Sequence, residues 1–223
     1  MNTSYAQKAF ALAAGLATKP RDLWPYLRYL PPWSPRPVDC ELPWFSFGAI
    51  RYLEEYLRPN HRVFEFGSGG STLFFARRTA EVRSVENDPT WHQLIIGLLR
   101  DRQFTNATCE WHPLADDTLG TFQRSPFSQR LLAAEWDVIV IDCHLGFNAA
   151  PFGVLRPAAF HLALSRVAPG GLIVLDDSWM FPELLSARPG WEVMNFSGPG
   201  PCRYGITSTA IFRRMPWDRV HAA

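Results

Sequence analysis

The chain has 223 residues, 47% of them apolar and 19% charged, and its 22 basic and 21 acidic side chains leave a net charge of +1. Such a chain can bury a full core and lacks the charge excess or polarity of a disordered segment. Its balanced charge gives no electrostatic case for binding nucleic acid or an anionic membrane, since both call for a basic stripe.

Residues 4 to 17 are rich in Ala and carry apolar side chains at roughly helical spacing, which predicts a helix. Its apolar run, Phe10 to Ala17, is too short to span a bilayer. With no small-x-small cleavage site, it does not read as a secretion signal. From Pro20 to Pro43, prolines at 20, 25, 31, 32, 35, 37 and 43 alternate with Trp24, Tyr26, Tyr29 and Trp33, and Trp44 follows. Proline lacks an amide hydrogen and fixes φ, so this stretch is expected to lie across the molecule as an extended strap. Its aromatic anchors are read as packing cover rather than as a lid. Residues 1–43 are thus set apart as helix and strap, and residues 44–223 as the main domain. The four cysteines, Cys40, Cys109, Cys143 and Cys202, form no CxxC pair and read as reduced thiols in a cytoplasmic protein.

Beyond Pro43 the pattern becomes regular. A helix is expected over Phe47 to Leu57, stopped by Pro59, and a strand over Arg62 to Phe66. The turn Gly67-Ser68-Gly69-Gly70-Ser71-Thr72 then leads into a helix over Leu73 to Arg78. A strand over Val82 to Glu86 precedes a helix over Pro89 to Arg102. Strands follow at Ala107 to Trp111 and Trp136 to Asp142, then a helix at Pro157 to Val167 and a strand at Leu172 to Asp176. Late strands at Trp191 to Phe196 and Ser208 to Arg213 flank a turn-rich loop. Alternating strands and helices, with nearly all-apolar central strands, predict an α/β fold with a doubly wound, mostly parallel sheet. The last two strands lie too close together for a crossover helix and should pair antiparallel.

Three features carry the candidate chemistry. Glu65-Phe66-Gly67-Ser68-Gly69 is a strand feeding a glycine turn and a helix, which brings backbone N–H groups close to a ligand. An acid at Glu65 would face a pyrophosphate badly, whereas it suits a cation such as the sulfonium or ammonium of S-adenosylmethionine (SAM). Glu86, at the end of the next strand, can accept both hydroxyls of a ribose. Asp142, Asp176 and Asp177 end two neighbouring strands at the edge where open α/β sheets bind ligands.

In this order and spacing the segments resemble class I SAM-dependent methyltransferases: ExGxGxxT (Glu65 to Thr72), an acid after the second strand, an aspartate after the fourth and Pro169-Gly170-Gly171 before the fifth. The resemblance spans roughly residues 43 to 214. It implies a seven-stranded Rossmann-like sheet with an antiparallel last strand. It also implies a cofactor site of Glu65, Gly67, Ser68, Gly69, Thr72, Glu86 and Asp142, with Asp116 at the adenine amino group and Asp117 equally available. Metal-dependent small-molecule O-methyltransferases place acids where Asp142, Asp176 and Asp177 stand, so Mg²⁺ is a further candidate, the three carboxylates being its ligands. The run Asp142-Cys143-His144 lacks a second acid found in several of those families, which makes His144 the other candidate base on an acceptor hydroxyl. Arg156 has Asp142 or an acidic substrate as its candidate partners, and structural pairing is the one expected. The function expected is methylation of a small-molecule or sugar hydroxyl, with no nucleic-acid or membrane partner. An NAD(P)-dependent oxidoreductase and a non-catalytic binding scaffold are the alternatives. Composition does not set the oligomeric state.

Overall fold

The computed structural model of the chain describes residues 5–30, 36–116, 118–144 and 153–216. Pro31, Pro32, Trp33 and Pro35 of the expected strap, and Asp117, lie outside the described residues. Eight helices appear among these: α1 (Tyr5–Thr18), α2 (Leu23–Arg28), α3 (Phe47–Tyr56), α4 (Gly70–Ala76), α5 (Pro89–Asp101), α6 (Leu119–Arg124), α7 (Pro126–Gln129) and α8 (Leu155–Ala163). The strands are β1 (Arg62–Phe66), β2 (Glu81–Glu86), β3 (Ala107–Trp111), β4 (Trp136–Ile141), β5 (Val167–Asp176), β6 (Trp191–Gly198) and β7 (Thr207–Arg214).

The strands form one sheet in the order β3-β2-β1-β4-β5-β7-β6. The first five are parallel, and β7 runs antiparallel to both β5 and β6. Side chains alternate across a strand, so the unbroken apolar runs of β4 and β5 feed two cores at once. Val138, Val140, Leu172 and Val174 pack with Phe47, Ile50, Leu53 and Phe74 from α3 and α4. On the opposite face Ile139, Ile141, Ile173 and Leu175 pack with Phe122, Phe127 and Phe160 from α6, α7 and α8. The expected α/β architecture and the antiparallel closing pair are therefore present.

Several boundaries differ from expectation. Pro20–Asp22 is a 3₁₀ turn and α2 follows it, so the proline-rich stretch opens helically. Proline is tolerated in the first turn of a helix, where its missing N–H is not needed. Strand β5 begins at Val167 rather than Leu172: Trp136 pairs with Val167 and Val138 with Leu172, so the Pro-Gly-Gly run is an irregularity inside the strand. Helix α4 starts at Gly70, three residues earlier than expected. The connection from β3 to β4 holds α6 and α7, short helices capped by Thr118 and Ser125.

The strap is tied down beside α4. Val38 is buried with Leu73, Ile95 and Leu99. Glu41 forms ion pairs with Arg77 and Arg102, just past the ends of α4 and α5. A Cβ at Gly70 would lie 2.1 Å from the Leu42 carbonyl oxygen and 2.8 Å from that of Pro37, so only glycine lets the strap lie this close to α4.

Candidate cofactor and acceptor site

The chain reverses between β1 and α4 at Gly67, whose φ of +96° is readily adopted by glycine alone. A Cβ there would also lie 3.0 Å from the Asp142 carbonyl oxygen, so the loop and the end of β4 need each other's backbone to be close. Several bonds fix the loop. The Gly67 N–H donates to the Val85 carbonyl (2.9 Å), and the Asp142 N–H donates to the Phe66 carbonyl (2.9 Å). The Gly69 N–H donates to the Thr72 hydroxyl (3.0 Å), and Trp91 Nε1 donates to the Ser68 carbonyl (2.6 Å). Thr72 is wholly buried, so its place is beneath the loop.

Glu65 lies on the same face of β1 as Val63, under the start of α4, and is 1% exposed. The Ser84 hydroxyl, from the residue paired with it on β2, donates to Oε2 (2.7 Å), while Oε1 accepts no hydrogen bond. Burial pushes the carboxyl up to about 7; hydrogen bonding to Ser84 opposes that rise and the nearby Asp142 adds to it. A buried carboxyl poised in this way favours a cation on the other side of the loop, since positive charge there stabilises its ionised form. The Glu65 carboxyl thus lies beneath the loop and does not reach its outer surface.

Glu86 ends β2 at 6% exposure. Its Oε1 accepts the backbone N–H groups of Asn87 (2.9 Å) and Asp88 (3.0 Å), and its Oε2 accepts the Ser68 hydroxyl (2.7 Å). Burial raises its carboxyl, and these hydrogen bonds oppose the rise. The Ser68 hydroxyl engages Glu86 as one hydroxyl of a ribose would. Loop, Glu86 and Asp142 therefore meet at one edge of the sheet. The orphaned Glu65 oxygen and the backbone closeness at Gly67 both fit a cationic nucleoside seated on that edge.

The three aspartates are organised by an arginine. Arg156, from α8, donates Nη2 to Asp142 Oδ1 (2.6 Å), Nη1 to the Asp176 carbonyl (2.7 Å) and Nε to the Cys143 carbonyl (3.1 Å). Its Nη1 also lies 3.8 Å from Asp177 Oδ2. Asp176 turns to the Thr209 hydroxyl, which donates to Oδ1 (2.9 Å). Asp177, at φ +49°, accepts from the Thr207 hydroxyl (3.0 Å) and Trp179 Nε1 (3.2 Å). The geometry lends no support to the metal reading of Asp142, Asp176 and Asp177. Their oxygens are engaged by a guanidinium, hydroxyls and an indole instead of converging on a common point, and no group of three or more His, Cys, Asp or Glu able to hold a metal ion occurs among the described residues. The expected pairing of Arg156 with Asp142 is present. Asp142 keeps about a third of its side-chain surface open. Burial pushes its carboxyl up to about 6, while Arg156 holds it down and Asp177 adds to the rise.

His144 is exposed just beyond Asp142, and its carbonyl accepts from Asn87 Nδ2 (2.9 Å). Asp116 sits on an exposed turn before α6, where Oδ1 accepts the N–H (3.1 Å) and hydroxyl (2.7 Å) of Thr118. The Thr121 side chain and then these Thr118 groups hold its carboxyl below the ordinary range. Sequence reasoning passed over Ser84, Trp91 and Arg203. A hydroxyl facing a buried acid across two central strands was a signal for Ser84; none marked Trp91 or Arg203. Arg203 stacks its guanidinium 4.6 Å from the ring centroid of Trp44, donates Nη2 to the Trp44 carbonyl (3.0 Å) and places Nη1 3.9 Å from Asp177. With exposed Trp44 and Trp179 it makes an aromatic, charged rim beside the end of β5.

No protein-family model matches the chain, and no curated protein matches it. Solved structures do match. The O-methyltransferase TomG from Streptomyces achromogenes, involved in tomaymycin synthesis and solved with SAM, matches at 18% identity, covering 79% of this chain and 85% of that one with a TM-score of 0.54. A protein from Streptococcus mutans, provisionally assigned as a methyltransferase and solved with S-adenosylhomocysteine, matches at 10% identity, 75% and 96% coverage and a TM-score of 0.55. An rRNA methylase from Streptococcus thermophilus matches at 14% identity, 75% and 95% coverage and a TM-score of 0.53. At these identities the likeness is one of fold, and this chain has the Rossmann-like fold of class I SAM-dependent methyltransferases.

Proposed function

We propose that the protein is a SAM-dependent methyltransferase that methylates a hydroxyl of a small molecule. The observation carrying this reading is the junction at the ends of β1, β2 and β4. There a loop turned by Gly67 sits between Glu86 and Asp142, with the Glu65 carboxyl beneath it. Glu86 would take the ribose hydroxyls, the 67–69 loop the methionine end, and Asp116 the adenine amino group. SAM, when bound, supplies a methyl group on a good leaving group. The chain's own work is then mostly positioning. Above pH 6 Asp142 is largely ionised and able to accept a hydroxyl proton, and exposed His144 is the alternative acceptor. Arg156 holds Asp142 toward the open edge. The rim of Trp44, Trp179 and Arg203 suits a flat acceptor with a polar edge. The balanced net charge favours a small molecule over RNA. The four free cysteines suit a reducing, cytoplasmic setting.

Calorimetry with SAM, S-adenosylhomocysteine, NAD⁺ and NADP⁺ tests the cofactor. The two sulfur nucleosides should bind, and Glu86→Ala should weaken them at least about 100-fold, the worth of losing two charge-assisted hydrogen bonds. Circular dichroism should show that variant still folded. Preferential binding of NAD⁺ would overturn the reading. Methyl transfer to rRNA, with none to phenols or sugars, would overturn the choice of acceptor and leave the cofactor standing.

A further inference from the structure

Next to Arg203 of the aromatic rim the fold brings two thiols together. Cys40 lies in the strap and Cys202 in the loop between β6 and β7, 162 positions apart in sequence, yet their sulfurs are 3.8 Å apart. Both are free cysteines. The backbone is bent to hold them there: Cys202 has φ +56°, and Glu41, next to Cys40, has φ +53°. Left-handed values at non-glycine residues carry a cost and persist only where their surroundings enforce them. Glu41 is held by Arg77 and Arg102, and the Cys202 N–H donates to the Tyr29 carbonyl (2.9 Å). A disulfide requires the sulfurs to approach by about 1.8 Å more, a movement on the scale of a side-chain rotation.

We propose that Cys40 and Cys202 form a reversible disulfide by exchange with a small-molecule disulfide. The thiolate of Cys40, the more open of the two, attacks the small disulfide and forms a mixed disulfide, expelling one small thiolate, which takes up a proton. Cys202 then loses its proton and attacks the Cys40 sulfur, expelling the second small thiolate. Two protein thiols are oxidised, and the small disulfide is reduced to two thiols. Burial, with Cys40 beside it, pushes the Cys202 thiol up to about 12 in the reduced pair, which leaves the more open Cys40 as the first to attack. The bond fastens the strap to the loop carrying Arg203, beside the aromatic rim.

The test treats the full chain with oxidised glutathione and maps its peptides under non-reducing conditions. A cross-linked peptide pair containing Cys40 and Cys202, released by reductant, is expected. Titratable thiols should fall from four to two, and the thermal midpoint should rise on the order of 10 °C, because the bond closes a long loop. Cys40→Ser or Cys202→Ser should remove both changes. Should either variant fail to fold, the peptide map of the unsubstituted chain decides alone. Glutathione adducts without a cross-link, or a cross-link between other cysteines, would overturn the proposal. Neither readout depends on methyl transfer.

Discussion

Replacing Glu65 by glutamine removes an ionisable group from the interior with little change of shape. The carboxyl rises from its ordinary 4.5 to about 7 on folding. Between those values the folded state binds the proton more tightly than the unfolded one. The stability it lends below pH 4.5 is therefore lost as pH rises toward 7. At about 1.4 kcal/mol per pH unit, ionising the wild-type side chain costs the fold about 3 kcal/mol at neutral pH. Glutamine carries no such cost. Its carbonyl can accept the Ser84 hydroxyl, and its NH₂ can take the place of Oε1, which accepts no hydrogen bond. Glu65→Gln should match the wild type in urea unfolding near pH 4.5 and exceed it by about 3 kcal/mol at pH 8, or roughly 6–12 °C in thermal midpoint. The same variant should bind SAM more weakly at pH 8, having lost the charge beneath the loop. A stability difference that does not change with pH would refute this account of Glu65.

Arg156→Met strands Asp142 without its buried partner and should cost about 3–5 kcal/mol in urea unfolding at pH 7.5. The loss should shrink toward pH 5 as Asp142 takes up a proton, and an equal loss at both pH values would count against the ion pair as the cause. Gly67→Ala forces a side chain into a left-handed turn 3.0 Å from the Asp142 carbonyl, and a loss of about 1–3 kcal/mol is expected from chemical denaturation. Methyl transfer should persist in the presence of excess chelator, because Arg156 already engages Asp142 and lies near Asp177; activity lost to chelator and restored by Mg²⁺ would favour the metal reading instead.

The sheet could be read from the sequence because its strands are buried on both faces: VIVI in β4 and LIVL in β5 leave little else for those residues to do. The antiparallel closing pair followed from the shortness of its connection. Short-range balances were harder to see. The helices between β3 and β4 are two short capped turns with no sustained period, and the Pro-Gly-Gly run entered a strand because an irregularity in the pairing absorbs it. At the candidate site, residue types on strand ends placed Glu86 and Asp142 at one edge of the sheet, where both lie. Sequence could not show that Glu65 points beneath the loop, or that Arg156 reaches across from α8 to engage the carboxylates that looked like metal ligands. Those facts depend on which way side chains turn at the meeting of distant elements.

The sheet order also bears on how the protein is made. Strand β7 lies between β5 and β6, so on a ribosome β6 emerges before the strand it pairs with. Until residues 207–214 follow, a nascent chain has one bare edge along β5 and an orphan strand, both open to mispairing with other copies. The Thr209 and Thr207 hydroxyls that steady Asp176 and Asp177 arrive with that segment. The rim beside β5 is therefore completed only once β7 has emerged. A polypeptide released a few dozen residues early would carry the Gly67 loop without the wall opposite it.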